Sequence, residues 1–329
     1  MSILVTGGAG YIGGHMVHAL LDTGESVVVL DDLSTGFRWT VPQEAALIVG
    51  DFGDMALVDR VIQQHNIDSI IHFAAKTVVP ESVADPLAYY LNNTARVRNL
   101  LECTVRHEVT RFVFSSTAAV YGEPDASPVF ETALLAPVNP YGRSKLMVEW
   151  MIEDVARAHG FSFVILRYFN VAGADPRGRL GQSTANATHL IKVAVQTALG
   201  QRSGIEVFGV DYPTRDGSCI RDFIHVTDVV DAHLQALDYL RRGGQSQVFN
   251  CGYGRGISVL EVIDTVKRVS GVNFAVEISS RRPGDPATVV AGADKIKAML
   301  GWRPQYDDLA EMVRQALDWE RRLRERAVG

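Results

Sequence analysis

The chain opens with SILVTGGAGYIG, a short β-branched run that breaks into glycines and resumes as a helical pattern. Few openings constrain a fold more. Gly7, Gly10 and Gly13, set directly after a strand, call for a tight turn, a backbone that a ligand can approach, and a helix packed close to its strand. That helix, expected over Tyr11–Thr23, turns its free N–H groups and partial positive charge toward the turn, where a diphosphate binds. The next strand, Ser26–Leu30, runs into Asp31 and Asp32 about twenty residues on, where a carboxylate meets the adenine ribose hydroxyls. Two acids at that point repel an extra phosphate, so NAD is expected rather than NADP. Asp51 and Phe52, after a third strand, are placed to cover the adenine.

The alternation continues. Strands are expected at Ile3–Thr6, Ser26–Leu30, Leu47–Val49, Ser69–Phe73, Phe112–Ser116 and Phe163–Arg167. Helices are expected at Tyr11–Thr23, Met55–His65, Pro86–His107 and Tyr141–His159. The strands are nearly unbroken apolar runs, as when both faces of a parallel sheet are covered. The fold class is therefore α/β, a doubly wound Rossmann-type parallel sheet with a smaller C-terminal α/β substrate domain. The boundaries are set at 1–170 and 171–329, with the chain crossing back to the first domain near 222–250. ADPRGRLGQSTANAT, rich in turn-forming residues, reads as a long, partly ordered connection. Beyond it come helices at Leu190–Leu199, Val229–Tyr239, Val259–Val269 and Leu309–Arg326. The charged end, WERRLRERAVG, reads as a solvated helix terminus.

Composition narrows the partners. With 329 residues, 47% of them hydrophobic, the chain can bury a large core. Its formal charge of -6 gives no general affinity for nucleic acid or an anionic membrane. No run approaches the roughly 18 to 20 apolar residues that span a bilayer. Cys103, Cys219 and Cys251 have no metal-like spacing, and so sparse a set fits a reducing compartment. No metal is expected, and the location expected is cytoplasmic.

The chemistry centres on PYGRSK. Tyr141 and Lys145, four apart on an expected helix, share one face with side-chain bases roughly 5 to 6 Å apart. A phenol with a pKa near 10 is a poor base at neutral pH, and lowering it by about three units takes roughly 4 kcal/mol. A nearby ammonium, helped by the positive nicotinamide ring, is the expected source. Thr117 follows the strand FVFSS at a carboxyl end, where it can bond a sugar hydroxyl. A Tyr-x-x-x-Lys pair alone is common on helix surfaces; joined to a nucleotide fold and this strand end, it becomes specific.

TGGAGYIG, LDDLSTG, IHFAA, YYLNN, FSSTAAVYGE, NPYGRSKLMVE, LRYFNVAGAD, FGVDYPTRDGSCIRDFIHV and RRPGD together resemble the extended short-chain dehydrogenase/reductase family, and within it the UDP-glucose 4-epimerases. The resemblance covers nearly the whole chain. It implies reversible, NAD-dependent 4-epimerisation of UDP-glucose and UDP-galactose through a 4-keto intermediate. Tyr141 would be the base, Lys145 the cofactor-holding lysine and Thr117 the hydroxyl partner. Cofactor contacts would come from Gly7, Gly10, Tyr11, Ile12, Gly13, Asp31, Asp32, Ser34, Thr35, Gly36, Asp51, Phe52, Phe73, Ala74, Ala75, Asn92, Ser115, Lys145 and Tyr168. The UDP-sugar would meet Thr117, Tyr141, Asn170, His189, Leu190, Phe208, Arg221, Arg282, Asp285 and Val289. Guanidinium groups such as Arg221 and Arg282 fork onto phosphate oxygens.

The chain departs from that pattern in places. Thr77 stands where some epimerases have a lysine, with Lys76 one position off, and His189 replaces an asparagine. Val289 occupies the position that gates bulky 2-substituents, and its small side chain leaves room for the N-acetyl group of a UDP-N-acetylhexosamine. Sugar-nucleotide 4,6-dehydratases need an Asp–Glu pair after the strand-end threonine; Ala118 and Ala119 remove that reading. Epimerisation of UDP-glucuronate or a UDP-pentose stays open, as does a catalytically silent NAD-binding sensor. A homodimer is expected, with the helices around Pro86–His107 and Tyr141–His159 available to form it.

Overall fold

The computed structural model describes residues 1–184, 187–282 and 284–328. In chain order its elements are β1 (Ser2–Thr6), α1 (Tyr11–Asp22), β2 (Val27–Asp31), β3 (Ala46–Val49), α2 (Met55–His65), β4 (Ile67–His72), α3 (Val79–Ala84), α4 (Pro86–Tyr90), α5 (Arg96–Arg106), β5 (Arg111–Thr117), α6 (Pro140–His159), β6 (Ser162–Tyr168) and β7 (Asn170–Ala172). There follow α7 (Leu190–Ala198), β8 (Ile205–Phe208), β9 (Ile220–His225), α8 (Val226–Arg241), β10 (Gln247–Cys251), β11 (Gly256–Ser258), α9 (Val259–Ser270), β12 (Val276–Ser279), β13 (Thr288–Val289), α10 (Asp294–Leu300) and α11 (Leu309–Val328).

Seven parallel strands form the main sheet in the order β10-β6-β5-β4-β1-β2-β3. Strand order reverses between β1 and β4, the switch point at whose carboxyl ends a doubly wound sheet binds its ligand. Side chains alternate between the two faces. Ile3, Val5, Val29, Ile71, Val113 and Val164 join one core cluster with Met16 and Val17 of α1 and Val229 of α8. Leu4, Val28, Leu30, Ile70, Phe112 and Ile165 join the other with α2, α5 and α6. Burial on both faces is why these strands read as continuous apolar runs.

β10 pairs with β6 in register Val248↔Ile165, and α8 packs on α1, β5 and β6. A second sheet centres on β9, flanked by β7, β11 and β13, and β8 pairs with β12. Segment 118–139 reaches across from β5. The Val129 N–H donates to Val290 O, and the Gly292 N–H donates to Val129 O.

One helix expectation is refined. Pro86–His107 is helical as expected through Arg106, but a single π turn, Leu91–Ala95, lies between α4 and α5. In the ADPRG segment, expected to be partly ordered, the Asp175 N–H donates to Leu180 O and Ala174 bridges Gly181. Of that segment, 185 and 186 lie outside the described residues.

Candidate active site

The glycine turn is built for a dinucleotide. Gly7 has φ 73°, in the left-handed region, and a Cβ there would stand 2.6 Å from Ala74 N. A Cβ on Gly13 would stand 2.2 Å from Gly7 O. Gly10 begins α1 without any side-chain cap, so the first-turn N–H groups stay free for a phosphate. Asp31 is buried beside the turn, accepting from the Ala9 N–H at 2.9 Å and the Leu33 N–H at 2.8 Å. Burial raises its carboxyl above the usual range, partly offset by those two bonds. Asp32 accepts from the Ser34 amide at 2.9 Å and its hydroxyl at 2.6 Å. Cradle, uncapped helix and acid at the strand end together fit NAD.

The remaining expected cofactor contacts stand around the same strand ends with protein partners of their own. Tyr11 OH donates to Gly173 O at 2.7 Å, Asp51 pairs with Arg96 at 3.0 Å, and Phe52 packs edge-on against His72. Phe73 lies against His233, with ring centroids 4.8 Å apart. Asn92 sits in the π turn and accepts from Arg96 Nη1 at 2.8 Å. Lys76, the lysine near the family position, pairs instead with Glu81 at 2.8 Å.

Local sequence sets the catalytic helix. Asn139 caps α6 by accepting the Gly142 N–H at 2.9 Å, and Pro140 occupies its first turn. Gly142 lets that turn approach the end of β5, since a Cβ would stand 2.6 Å from Ala119 O. Tyr141 and Lys145 are both buried there. Lys145 Nζ donates to Ser115 O at 2.9 Å and lies 4.7 Å from the Phe114 ring centroid. Thr117 Oγ1 accepts the Ala119 N–H at 3.1 Å, and the Thr117 hydroxyl favours ionisation of the Tyr141 phenol.

Burial acts on both members of the pair. Burial raises the Tyr141 phenol above its ordinary range, and the Thr117 hydroxyl offsets this only in part. Burial also brings Lys145 down to about 7, with the Glu149 carboxylate acting the other way. Desolvation disfavours both charged forms, so the lysine does not by itself prepare the tyrosine.

Sequence reasoning passed over the groups behind this site. Arg167 on β6 holds Glu149 of α6 at 2.6 Å and donates to Tyr121 OH at 3.0 Å; Ser116 also donates to Glu149. Tyr121 OH donates to Asn250 Oδ1 at 2.6 Å. In the π turn, Asn93 donates to Ser144 Oγ at 3.1 Å and holds both the amide and the carbonyl of Lys76. His233 Nδ1 lies 2.8 Å from Val229 O, a pure acceptor, so Nδ1 carries the proton and Nε2 accepts from the Ser115 hydroxyl at 2.8 Å. Only the Glu at position four after Lys145 was a readable signal.

The expected substrate residues fall into two groups. Asn170, His189 and Leu190 line one cleft with Gln182 and Trp319. On the second sheet Arg221 pairs with Asp285, Val289 lies beside Arg221 in register, and Arg282 stacks 3.6 Å from the Phe208 ring centroid. Among the described residues no carboxylate pairs with Arg282, so its forked donors are open to a phosphate. No hydrogen bond among the described residues joins this second group to Tyr141.

Residues 3–252 match the family described as the NAD dependent epimerase/dehydratase family. The chain is 56% identical over 327 residues to a UDP-glucose 4-epimerase of Azospirillum brasilense, covering 99% of this chain and 94% of that one. It is similar to a structure of UDP-glucose 4-epimerase from Brucella ovis in complex with NAD, at TM-score 0.94 and 40% identity over 96% and 97% of the two chains. It is also similar to the UDP-Glc/GlcNAc 4-epimerase of Campylobacter jejuni, at TM-score 0.86 and 48% identity over 98% and 99%.

Proposed function

The chain belongs to the NAD dependent epimerase/dehydratase family, and we propose that it interconverts UDP-glucose and UDP-galactose by inverting carbon 4 of the sugar. The observation that carries this reading is the burial of Tyr141, Lys145 and Thr117 together at the end of β5, on a sheet whose glycine turn fits NAD. NAD held on the glycine turn would supply reversible hydride acceptance from C4, and its positive ring would oppose the burial that raises the Tyr141 phenol.

Tyr141 takes the 4-hydroxyl proton, directly or through Thr117, and gives it back after the 4-keto sugar has turned over. Lys145, fixed on Ser115 O, is the proposed holder of the cofactor. Such a turn requires the sugar to be held loosely and the diphosphate firmly. Arg282, over the Phe208 ring, and Arg221 are the proposed anchors. Ala118 and Ala119 leave no acid to expel a 6-hydroxyl, which speaks against dehydration.

The test is chromatography of products after incubation with UDP-galactose. UDP-glucose should appear without added oxidant, and its absence from protein holding NAD would favour a silent binder. A second reading, activity on UDP-N-acetylhexosamines, has support in Val289 and in the likeness to the UDP-Glc/GlcNAc enzyme. Undetectable turnover of UDP-N-acetylglucosamine beside normal turnover of UDP-galactose removes it. Parallel incubations with UDP-glucuronate and UDP-xylose separate the uronate and pentose alternatives.

The reading extends to assembly and place. Val83, Leu87 and Leu91, along α3, α4 and the π turn, and Trp150 on α6 are exposed apolar side chains, which favours a homodimer through these helices. Sedimentation should give twice the chain mass. Among the described residues no helix is long and apolar enough to cross a membrane, and the three cysteines are free and buried. Both features suit the cytoplasm.

A further inference from the structure

The segment that follows β2 lies directly on the glycine turn. Its Phe37 N–H donates to Ala9 O at 3.1 Å, and the Thr40 hydroxyl donates to the same oxygen at 2.9 Å. Since the Ala9 N–H already bonds Asp31 at 2.9 Å, the backbone of Ala9 is held at both ends. Gly36 lies so close that a Cβ would stand 2.8 Å from the carbonyl carbon of Ala9. Ser34, Thr35 and Gly36 of this segment are among the expected NAD contacts, so a dinucleotide seated in that turn would meet the segment.

The outer side of the same segment is stacked. Trp39 is 42% exposed, yet its ring is covered on more than one side. Phe37 lies 5.5 Å away and Trp319 of α11 lies 6.2 Å away, each inclined at 31°. The Arg326 guanidinium sits 4.6 Å over Trp39 and 6.0 Å from Trp319, so the charged end of α11 is not simply solvated. Trp319 is 3% exposed and is fixed from behind. Its Nε1 donates to Ser183 Oγ at 3.3 Å, and a Cβ on Gly181 would stand 2.4 Å from its ring. The stack thus runs from the cleft wall beside Gln182 and His189 to the lid of the cofactor turn.

We propose that Trp39, Trp319 and Arg326 form a latch that retains NAD: the C-terminal helix holds the segment after β2 closed on the glycine turn. Aromatic pairs and a guanidinium over a ring are each modest and geometry-dependent attractions. Here they act on a segment whose inner face closes the cofactor site, so they slow release rather than merely adding stability. The three are positioning residues and take no part in proton or hydride transfer. The inference rests on NAD binding and not on the identity of the sugar.

The test uses NAD-loaded protein and measures NAD still bound after timed gel filtration, with thermal melting alongside. Trp39→Ala and Arg326→Ala should lose NAD roughly tenfold faster than wild type, equal to about 1.4 kcal/mol on the release barrier. Trp39→Phe should fall between, and Arg321→Ala, an exposed neighbour paired with Asp318 of its own helix, should behave as wild type. Wild-type NAD retention in both Trp39→Ala and Arg326→Ala overturns the latch. Should Trp39→Ala fold poorly, Arg326→Ala alone decides, because that side chain is exposed. A wild-type protein that keeps NAD but epimerises nothing would cost the sugar reading and leave this test intact.

Discussion

At the scale of single residues, Tyr141 and Lys145 are governed by the same burial, which drives both toward their neutral forms. Tyr141→Phe removes the proton acceptor and keeps the ring, so turnover should fall by roughly 10²- to 10⁴-fold. UDP affinity, read by calorimetry, should hardly change; near-normal rates would remove Tyr141 from the role of base. Glu149→Gln makes a different statement. It leaves Arg167, deep between β5, β6 and α6, as a buried cation without its carboxylate, and breaking such a pair costs about 3 to 5 kcal/mol. Denaturant unfolding should show a loss of that order, and a loss under 1 kcal/mol would mean that water already reaches the pair. Tyr141, Lys145 and Asp31 were legible because each sits at a fixed spacing from a strand end or a glycine. Arg167, Tyr121 and Asn250 come from three distant stretches, and no spacing announces their meeting.

Among elements, α6 shows most directly how local sequence sets the site. Its Tyr141 and Lys145 were read from their spacing; the Asn139 cap and the need for glycine at 142 were not, the latter because the obstacle is a carbonyl contributed by Ala119. Gly142→Ala tests which effect wins. Helix propensity favours alanine by about 1 kcal/mol, whereas forcing a methyl into a filled space costs typically 1 to 3 kcal/mol. The clash should win, giving a lower melting temperature and at least a tenfold drop in kcat as Tyr141 moves away from Thr117, in line with the ~10²-fold cost of a 1 Å misplacement. An unchanged kcat would show that the helix start can shift without moving the phenol. The same distinction governs the rest of the fold. Strands buried on both faces announced themselves as apolar runs, but the π turn at Leu91–Ala95 did not, since its backbone stays helical at both ends. Its reason lies in tertiary contacts: Asn93 turns inward to bond Ser144 and Lys76.

For the whole molecule, the consequence of so many buried imidazoles is sensitivity to acid. Burial lowers His15 and His233 to about 4 and holds His72 well below its usual range. In the unfolded chain each titrates near 6.5. Between pH 6.5 and about 4 the unfolded chain therefore binds protons that the folded one refuses. Stability is full above that window and is lost as pH falls through it, at about 1.4 kcal/mol per unit for each fully titrating group. Asp222 works the other way. Burial brings its carboxyl up to about 6, although it accepts N–H bonds from Tyr253, Gly254 and Ala291, so the folded form holds its proton and gains as pH falls. Burial also lowers His18, His189 and His225 and raises Asp31, Glu153, Asp231 and Asp307; six imidazoles that titrate first in the unfolded chain, near 6.5, decide the sign against five carboxyls. Melting temperature should drop steadily from pH 6.5 to 4.5, and His233→Gln should flatten the drop by one group's share. A melting temperature that stays level across that range would mean that His15, His72 and His233 accept protons within the folded chain.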